Sequence, residues 1–150
     1  MRNLSMYHYQ ESGLNNIYLV NGYKEIDTPY GKAVAITDVE GLNKAIAHNL
    51  ITYKPRLTGS EFRFLRKEMG LSQAKLALLL GNNEQAIAIW EKKSNSPKWA
   101  SNMLRKLVGE YLGENKTLME IIDRFNTMDR DDYDEAIRFE DRNHEWKIAA

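Results

Sequence analysis

The sequence predicts a mainly α fold with a small N-terminal antiparallel β-meander. Three observations carry that expectation. Apolar residues recur at helical spacing from residue 42 onward. Capping residues and glycines punctuate that stretch into separate helices. The first third instead alternates short β-branched and aromatic runs with turn residues.

The strand region comes first. Ile17-Tyr18-Leu19-Val20 and Tyr23-Lys24-Glu25-Ile26 flank Asn21-Gly22. Asn-Gly suits the two positive φ angles of a type I′ turn, so a hairpin is expected there. Thr28-Pro29-Tyr30-Gly31 reads as a second turn, and Ala33-Val34-Ala35-Ile36 as a third strand. Asp38 is the expected N-cap of a helix over 39–52, with Leu42, Ile46 and Leu50 on its apolar face. Pro55 pushes Lys54 out of the α region, so residues 53–57 read as a linker. Tyr7, Tyr9, Tyr18, Tyr23 and Tyr30 read as sheet-face residues or as an aromatic recognition surface.

Thr58 followed by Glu61 forms a capping box and starts the next helix. Phe62, Leu65 and Met69 give its apolar face, and Gly70 stops it. Ser72 caps a second helix from Gln73 to Leu80, with Leu76, Leu79 and Leu80 inward. Gly81 ends it. Asn83 caps a third helix with Ala86, Ile87 and Trp90 as buried positions. Ser96-Pro97 supplies a cap and an N1 proline for a fourth, which carries Leu104, Leu107, Val108 and Tyr111. Two helices joined by a tight glycine turn make a helix-turn-helix unit. Such a unit needs a small residue at the crossing, a positive-φ residue in the turn and an aliphatic anchor. Ala77, Gly81 and Ile87 meet those needs.

FRFLRKEMGLSQAKLALLLG, then AIAIWEKK, then SP, resembles the Xre family of phage-repressor-like regulators over about 55 residues. The resemblance implies a lambda-repressor-like helix-turn-helix domain of four to five helices. It implies that Gln73 binds a phosphate and braces the recognition helix, and that Glu84, Gln85 and Ile89 face the bases. It implies that Arg66 pairs with Glu91, the residue after Trp90. Gln85 suits adenine and Glu84 suits cytosine, although a carboxylate there also favours the helix dipole. Ser72, Lys75, Asn83, Lys92 and Lys93 complete the expected DNA-contacting set. Asn82, Glu84, Ala88 and Ile89 depart from the family's usual serine, threonine or arginine, so base preference does not carry over.

A wider similarity, over YHYQESGLNNIYLVNGYKEIDTPYGKAVAI and GLNKAIA, links the chain to antitoxins of the HigA and MqsA type. MqsA relatives begin with a zinc domain bearing paired Cys-x-x-Cys motifs. This chain has no cysteine, so that zinc site does not carry over, disulfides and thiolate metal sites are excluded, and no cofactor is expected. The expected partners are operator duplex DNA, a second copy in a homodimer, and a protein toxin. The expected domains are 1–53, a small α+β part; 54–127, the Xre-type domain; and 128–150, an acidic tail.

The charge distribution agrees with this division. The 150-residue chain is neutral overall, yet residues 54–109 are net +7 and residues 110–150 net −6. A basic module is the footprint of phosphate contact; an acidic tail repels non-specific DNA or meets a basic partner. The run Thr117 to Phe125 places Leu118, Ile121, Ile122 and Phe125 on one apolar face, as core or as dimer interface. The tail reads as a solvated helix or a frayed terminus, or as a phosphate mimic. No stretch is long and apolar enough for a membrane span, and the start lacks a signal-peptide core, so a cytoplasmic location is expected.

Catalytic motifs are missing. There is no HExxH, P-loop, GxSxG or GxGxxG, and His8, His48 and His144 share no ligand spacing. Asp129, Asp131 and Asp134 lack the glycine of a calcium loop. The expectation is a DNA-binding repressor, an autoregulating antitoxin rather than an enzyme. The alternatives are a ligand-sensing or stand-alone regulator, or a protein-binding module that has lost DNA binding.

Overall fold

The computed structural model describes residues 6–93, 96–113, 120 and 138–149. Its elements are β1 (Tyr7–His8), β2 (Tyr18–Leu19), β3 (Tyr23–Thr28), β4 (Gly31–Ile36), α1 (Val39–Tyr53), α2 (Gly59–Glu68), α3 (Gln73–Leu80), α4 (Glu84–Lys92), α5 (Lys98–Leu112), β5 (Phe139–Arg142) and β6 (Glu145–Ile148). Among the described residues, these five helices and three separate two-stranded antiparallel sheets make the architecture mixed, with helix predominating.

The meander does not form. β1 pairs with β2, and β3 with β4. The hairpin expected at Asn21-Gly22 does not form, whereas the expected second turn does, joining β3 to β4 with Thr28 facing Gly31. The reason is local. Gly22 adopts a positive φ of 80°, but Asn21 does not, and a type I′ turn needs both. At the other turn the Thr28 hydroxyl donates to the Gly31 carbonyl at 2.6 Å and accepts from the Tyr30 N–H at 3.2 Å. The Gly22 carbonyl instead accepts from Thr37 N–H at 2.9 Å, closing the base of β3–β4.

Helix boundaries follow their caps. Asp38 caps α1 by accepting from Gly41 N–H, Thr58 and Glu61 form the full capping box of α2, and Ser72 and Asn83 cap α3 and α4. α5 is the exception. Pro97, not Ser96, is its N-cap, and no side chain caps it. Ser96 Oγ instead lies 2.5 Å from Ser101 Oγ.

Residues 1–115 make one compact unit and residues 116–150 a second. The expected boundary at 53/54 falls inside the first unit, for a physical reason. Ile46, Ala47 and Leu50 of α1 are buried, and Arg105 of α5 reaches across to its C-terminus. The guanidinium donates to the carbonyls of Leu50 at 2.8 Å, Ile51 at 3.2 Å and Lys54 at 2.6 Å. A cation on the last carbonyls of a helix satisfies orphan acceptors and opposes the dipole's negative end. The core of this unit holds Leu57, Phe62, Leu65, Leu76, Ile87, Leu104 and Val108, all essentially inaccessible. Each such side chain contributes about 1.5–3 kcal/mol on leaving water. Leu79, Ala86 and Trp90, expected inward, are only half-buried, as are the apolar Leu107 and Tyr111 of α5.

In the second unit β5 and β6 form a hairpin where the tail was expected to be helical or frayed. Asn143 and His144 both take positive φ, 53° and 67°, as a two-residue primed turn requires. The acidic run over 129–135 and the apolar positions Leu118, Ile121, Ile122 and Phe125 lie outside the described residues. No helix among the described residues is long and apolar enough to cross a membrane.

Gly59 is the tightest point. A Cβ there would sit 2.3 Å from the Lys93 carbonyl oxygen, 2.5 Å from that of Glu91 and 2.7 Å from that of Trp90. All three are backbone atoms, which cannot swing aside. Gly59→Ala is therefore expected to destabilise the chain by about 1–3 kcal/mol in urea unfolding. Ser60→Ala, one residue on at an exposed position, should change stability by less than about 0.5 kcal/mol.

Candidate nucleic-acid interface

α3 and α4 are joined by three residues. Gly81 takes the left-handed conformation, φ 68°, and its N–H bonds back to α3. Asn82 N–H donates to the Ala77 carbonyl at 2.8 Å, completing the C-terminal cap. Asn83 then opens α4, its Oδ1 accepting from Ala86 N–H at 2.9 Å. Ala77 and Ile87 are buried against the rest of the unit, the first small enough for a close crossing and the second an anchor. Trp90 packs edge-on against Phe62 and Trp99, with ring centroids 6.0 and 5.8 Å apart.

A buried ion pair fixes the far end of α4. Arg66 Nε donates to Glu91 Oε2 at 2.7 Å, and Nη2 donates to Oε1 at 3.0 Å. The two side chains are only 9% and 3% exposed, so this bidentate fork stands mostly out of water. Arg66 Nη1 donates to the Leu71 carbonyl at 2.8 Å, tying in the turn between α2 and α3. Gln73 Nε2 donates to Glu91 Oε1 at 3.0 Å, so the first residue of α3 is braced against the end of α4.

These contacts leave one side of α4 facing solvent. Glu84, Gln85 and Lys92 are exposed, and Ile89 is half accessible. Gln85, Ile89 and Lys92 are spaced i, i+4, i+7 and so share a face. Ser72 and Lys75 are exposed at the start of α3, and Lys93 is exposed at the C-cap of α4. The Ser72 hydroxyl is engaged as a cap, accepting from Lys75 N–H at 3.1 Å. The fifteen expected positions thus separate into two groups. Arg66, Ala77, Gly81, Ile87, Trp90 and Glu91 hold the helices; the others lie at or near the surface, with Gln73 spanning both.

Sequence reasoning missed three cations. Arg56, Lys98 and Arg105 line a cleft of about 340 Å³ with Pro55, Ser101 and Asn102. Their membership of the basic stretch was visible, but their convergence depends on how α5 crosses the 55–57 segment. Arg105 is already committed to the end of α1. Gly59 was missed as well, since no pattern along the chain signals a helix start seated on another helix's end. Among the described residues no group of three His, Asp or Glu is placed to hold a metal ion.

Comparison of the chain with protein-family models, with curated proteins and with solved structures returns no match.

Removing one partner of a buried pair leaves the other charge uncompensated, which costs about 3–5 kcal/mol. Glu91→Ala is expected to lose that much in urea unfolding. Gln73→Ala, which deletes one hydrogen bond to the same carboxylate, should cost only about 1.5–3 kcal/mol.

Proposed function

We propose that this chain binds duplex DNA through the α3–α4 segment and represses transcription. In this reading α3, Gly81 and α4 are a helix-turn-helix of the lambda-repressor-like type, and α4 is the recognition helix. The observation that carries the reading is the division of α4. Its inner side is held by Ile87, Trp90 and the Arg66–Glu91 pair, while Gln85, Ile89 and Lys92 line an outward face. An α-helix is about 10–12 Å across with its side chains and fits a major groove about 12 Å wide, and the nine residues of α4 give about 13 Å of length to lie in it.

Each exposed side chain then has a role. Gln85 donates to and accepts from an adenine edge, and Ile89 meets a thymine methyl group. Ser72, Lys75, Lys92 and Lys93 contact phosphates, which position the protein without reading sequence. Gln73 spends one amide hydrogen on Glu91 and has a second for a phosphate oxygen. Glu84 is best read as a first-turn carboxylate on the helix dipole rather than a base contact. The net charge of +7 over residues 54–109 supports this reading.

A regulator of this type works as a homodimer on a palindromic site, and the acidic remainder suits a basic protein partner, as in an autoregulating antitoxin. The function is non-catalytic. One observation favours a second reading. Leu78 and Ile89 are 62% and 50% exposed, which also suits a protein-binding surface that has given up DNA.

Fluorescence anisotropy on duplex from the chain's own promoter, at about 50 and 200 mM salt, separates the two. Gln85→Ala is expected to relax preference at one base pair per half-site and cost about 1–3 kcal/mol. Lys93→Ala should weaken binding to every sequence and reduce the salt slope by about one. Binding with neither sequence preference nor salt dependence would remove the DNA reading.

A further inference from the structure

The hairpin of β5 and β6 has two unlike faces. The register pairs Phe139 with Ile148, Glu140 with Lys147, Asp141 with Trp146 and Arg142 with Glu145. Side chains alternate along a strand, so Phe139, Asp141, Trp146 and Ile148 share one face. Glu140, Arg142, Glu145 and Lys147 share the other, where Glu140 pairs with Arg142 and Glu145 with Lys147. Phe139, Trp146 and Ile148 are 59%, 75% and 68% exposed. A lone two-stranded hairpin is marginal in water, and gains stability from further strands that extend an apolar face.

We propose that a second copy of this chain docks along the outer edge of β6. The two hairpins then form one four-stranded antiparallel sheet centred on Trp146. The backbone phase selects this edge and register. Across a two-residue turn, Arg142 and Glu145 are the hydrogen-bonded pair. Ala149 N–H donates to the Arg138 carbonyl at 2.8 Å, in the same alternating phase. The N–H and C=O of Trp146 therefore point away from β5, toward an edge that no strand among the described residues pairs. In a two-fold pairing about Trp146, the two Trp146 residues exchange both of those bonds.

Charge complementarity supports the same register. It sets Glu145 opposite Lys147 of the second copy, and Lys147 opposite its Glu145. Within one copy these groups already lie 3.6 Å apart, so the junction becomes a ring of four alternating charges. The β5 edge does not offer this. Its outward-facing central residue is Asp141, which would meet itself, and like charges directly opposed are destabilising. Pairing through β6 also brings Phe139, Trp146 and Ile148 of both copies onto the same face, with Asp141 of each copy on the outer strand at its margin.

Sedimentation equilibrium of the full chain tests the interface: a monomeric wild type would also count against the homodimer of the proposed function, whereas the response to charge reversal bears on this interface alone. The wild type is expected to dimerise. Lys147→Glu places carboxylates opposite one another and should weaken the dimer about tenfold. The swap Glu145→Lys with Lys147→Glu, made together with Glu140→Lys and Arg142→Glu so that the pairs within the hairpin also stay opposite in charge, restores every opposed pair and should recover wild-type association. A wild type that stays monomeric at about 100 μM overturns the proposal. So does a Lys147→Glu variant that dimerises like wild type, or a swap no better than the single reversal.

Discussion

The bidentate contact between Arg66 and Glu91 is the constraint on which the rest of the first unit depends. It joins the end of α2 to the end of α4 across 25 residues of chain. It also fastens the intervening turn through Leu71 and the start of α3 through Gln73. A buried pair of this kind does little for net stability, because desolvating both charges consumes most of the attraction. Its effect is geometric. A planar guanidinium meets a carboxylate in one orientation, so the rotation of α4 about its own axis is set. The energy comes from Phe62, Leu65, Leu76 and Ile87, which would pack tolerably at several rotations; the ion pair admits only one.

Helix ends do the rest of the positioning. The start of α2 rests on the last carbonyls of α4, an approach that only a residue without Cβ permits. Opposite dipole ends meet there, so the contact is electrostatically favourable as well as close. The start of α2 is strengthened again by Glu61, which accepts from Thr58 N–H at 2.8 Å and pairs with Lys54 at 3.1 Å. α1 is held in the same manner at its C-terminus by Arg105. Beside the packing of their buried faces, the helices are therefore also tied at their termini, where otherwise orphaned backbone groups find partners on a neighbour.

Much of this was legible in the chain. Thr58, Ser72, Asn83 and Gly81 each act within four residues of themselves, so their roles can be read locally. The Arg66–Glu91 pair could be expected only from resemblance, since nothing along the chain links positions 25 residues apart. The strands were harder. Asn21-Gly22 carries the composition of a primed turn without the paired positive φ angles, while Asn143-His144 carries the angles without the familiar composition. Turn chemistry proposes a reversal, but neighbouring hydrogen bonds, here those of Thr28, decide where it occurs. Gly59 and the Arg56–Lys98–Arg105 cleft were not legible, because each depends on the crossing of elements distant in sequence.

The division of α4 also bears on how such a protein changes over generations. The residues that fix the helix and those that face outward belong to one short segment, yet share no side chain. Glu91 must be kept together with Arg66, Gly59 with the α4 carbonyls it lies against, and Ile87 with the core it fills. Glu84, Gln85, Ile89 and Lys92 answer to no such condition, and exposed positions of this kind change stability by about 0.5 kcal/mol or less. Mutation can therefore change the outward face of the helix while the scaffold stays intact, and copies descended from one ancestral gene can part in what that face presents before they part in fold.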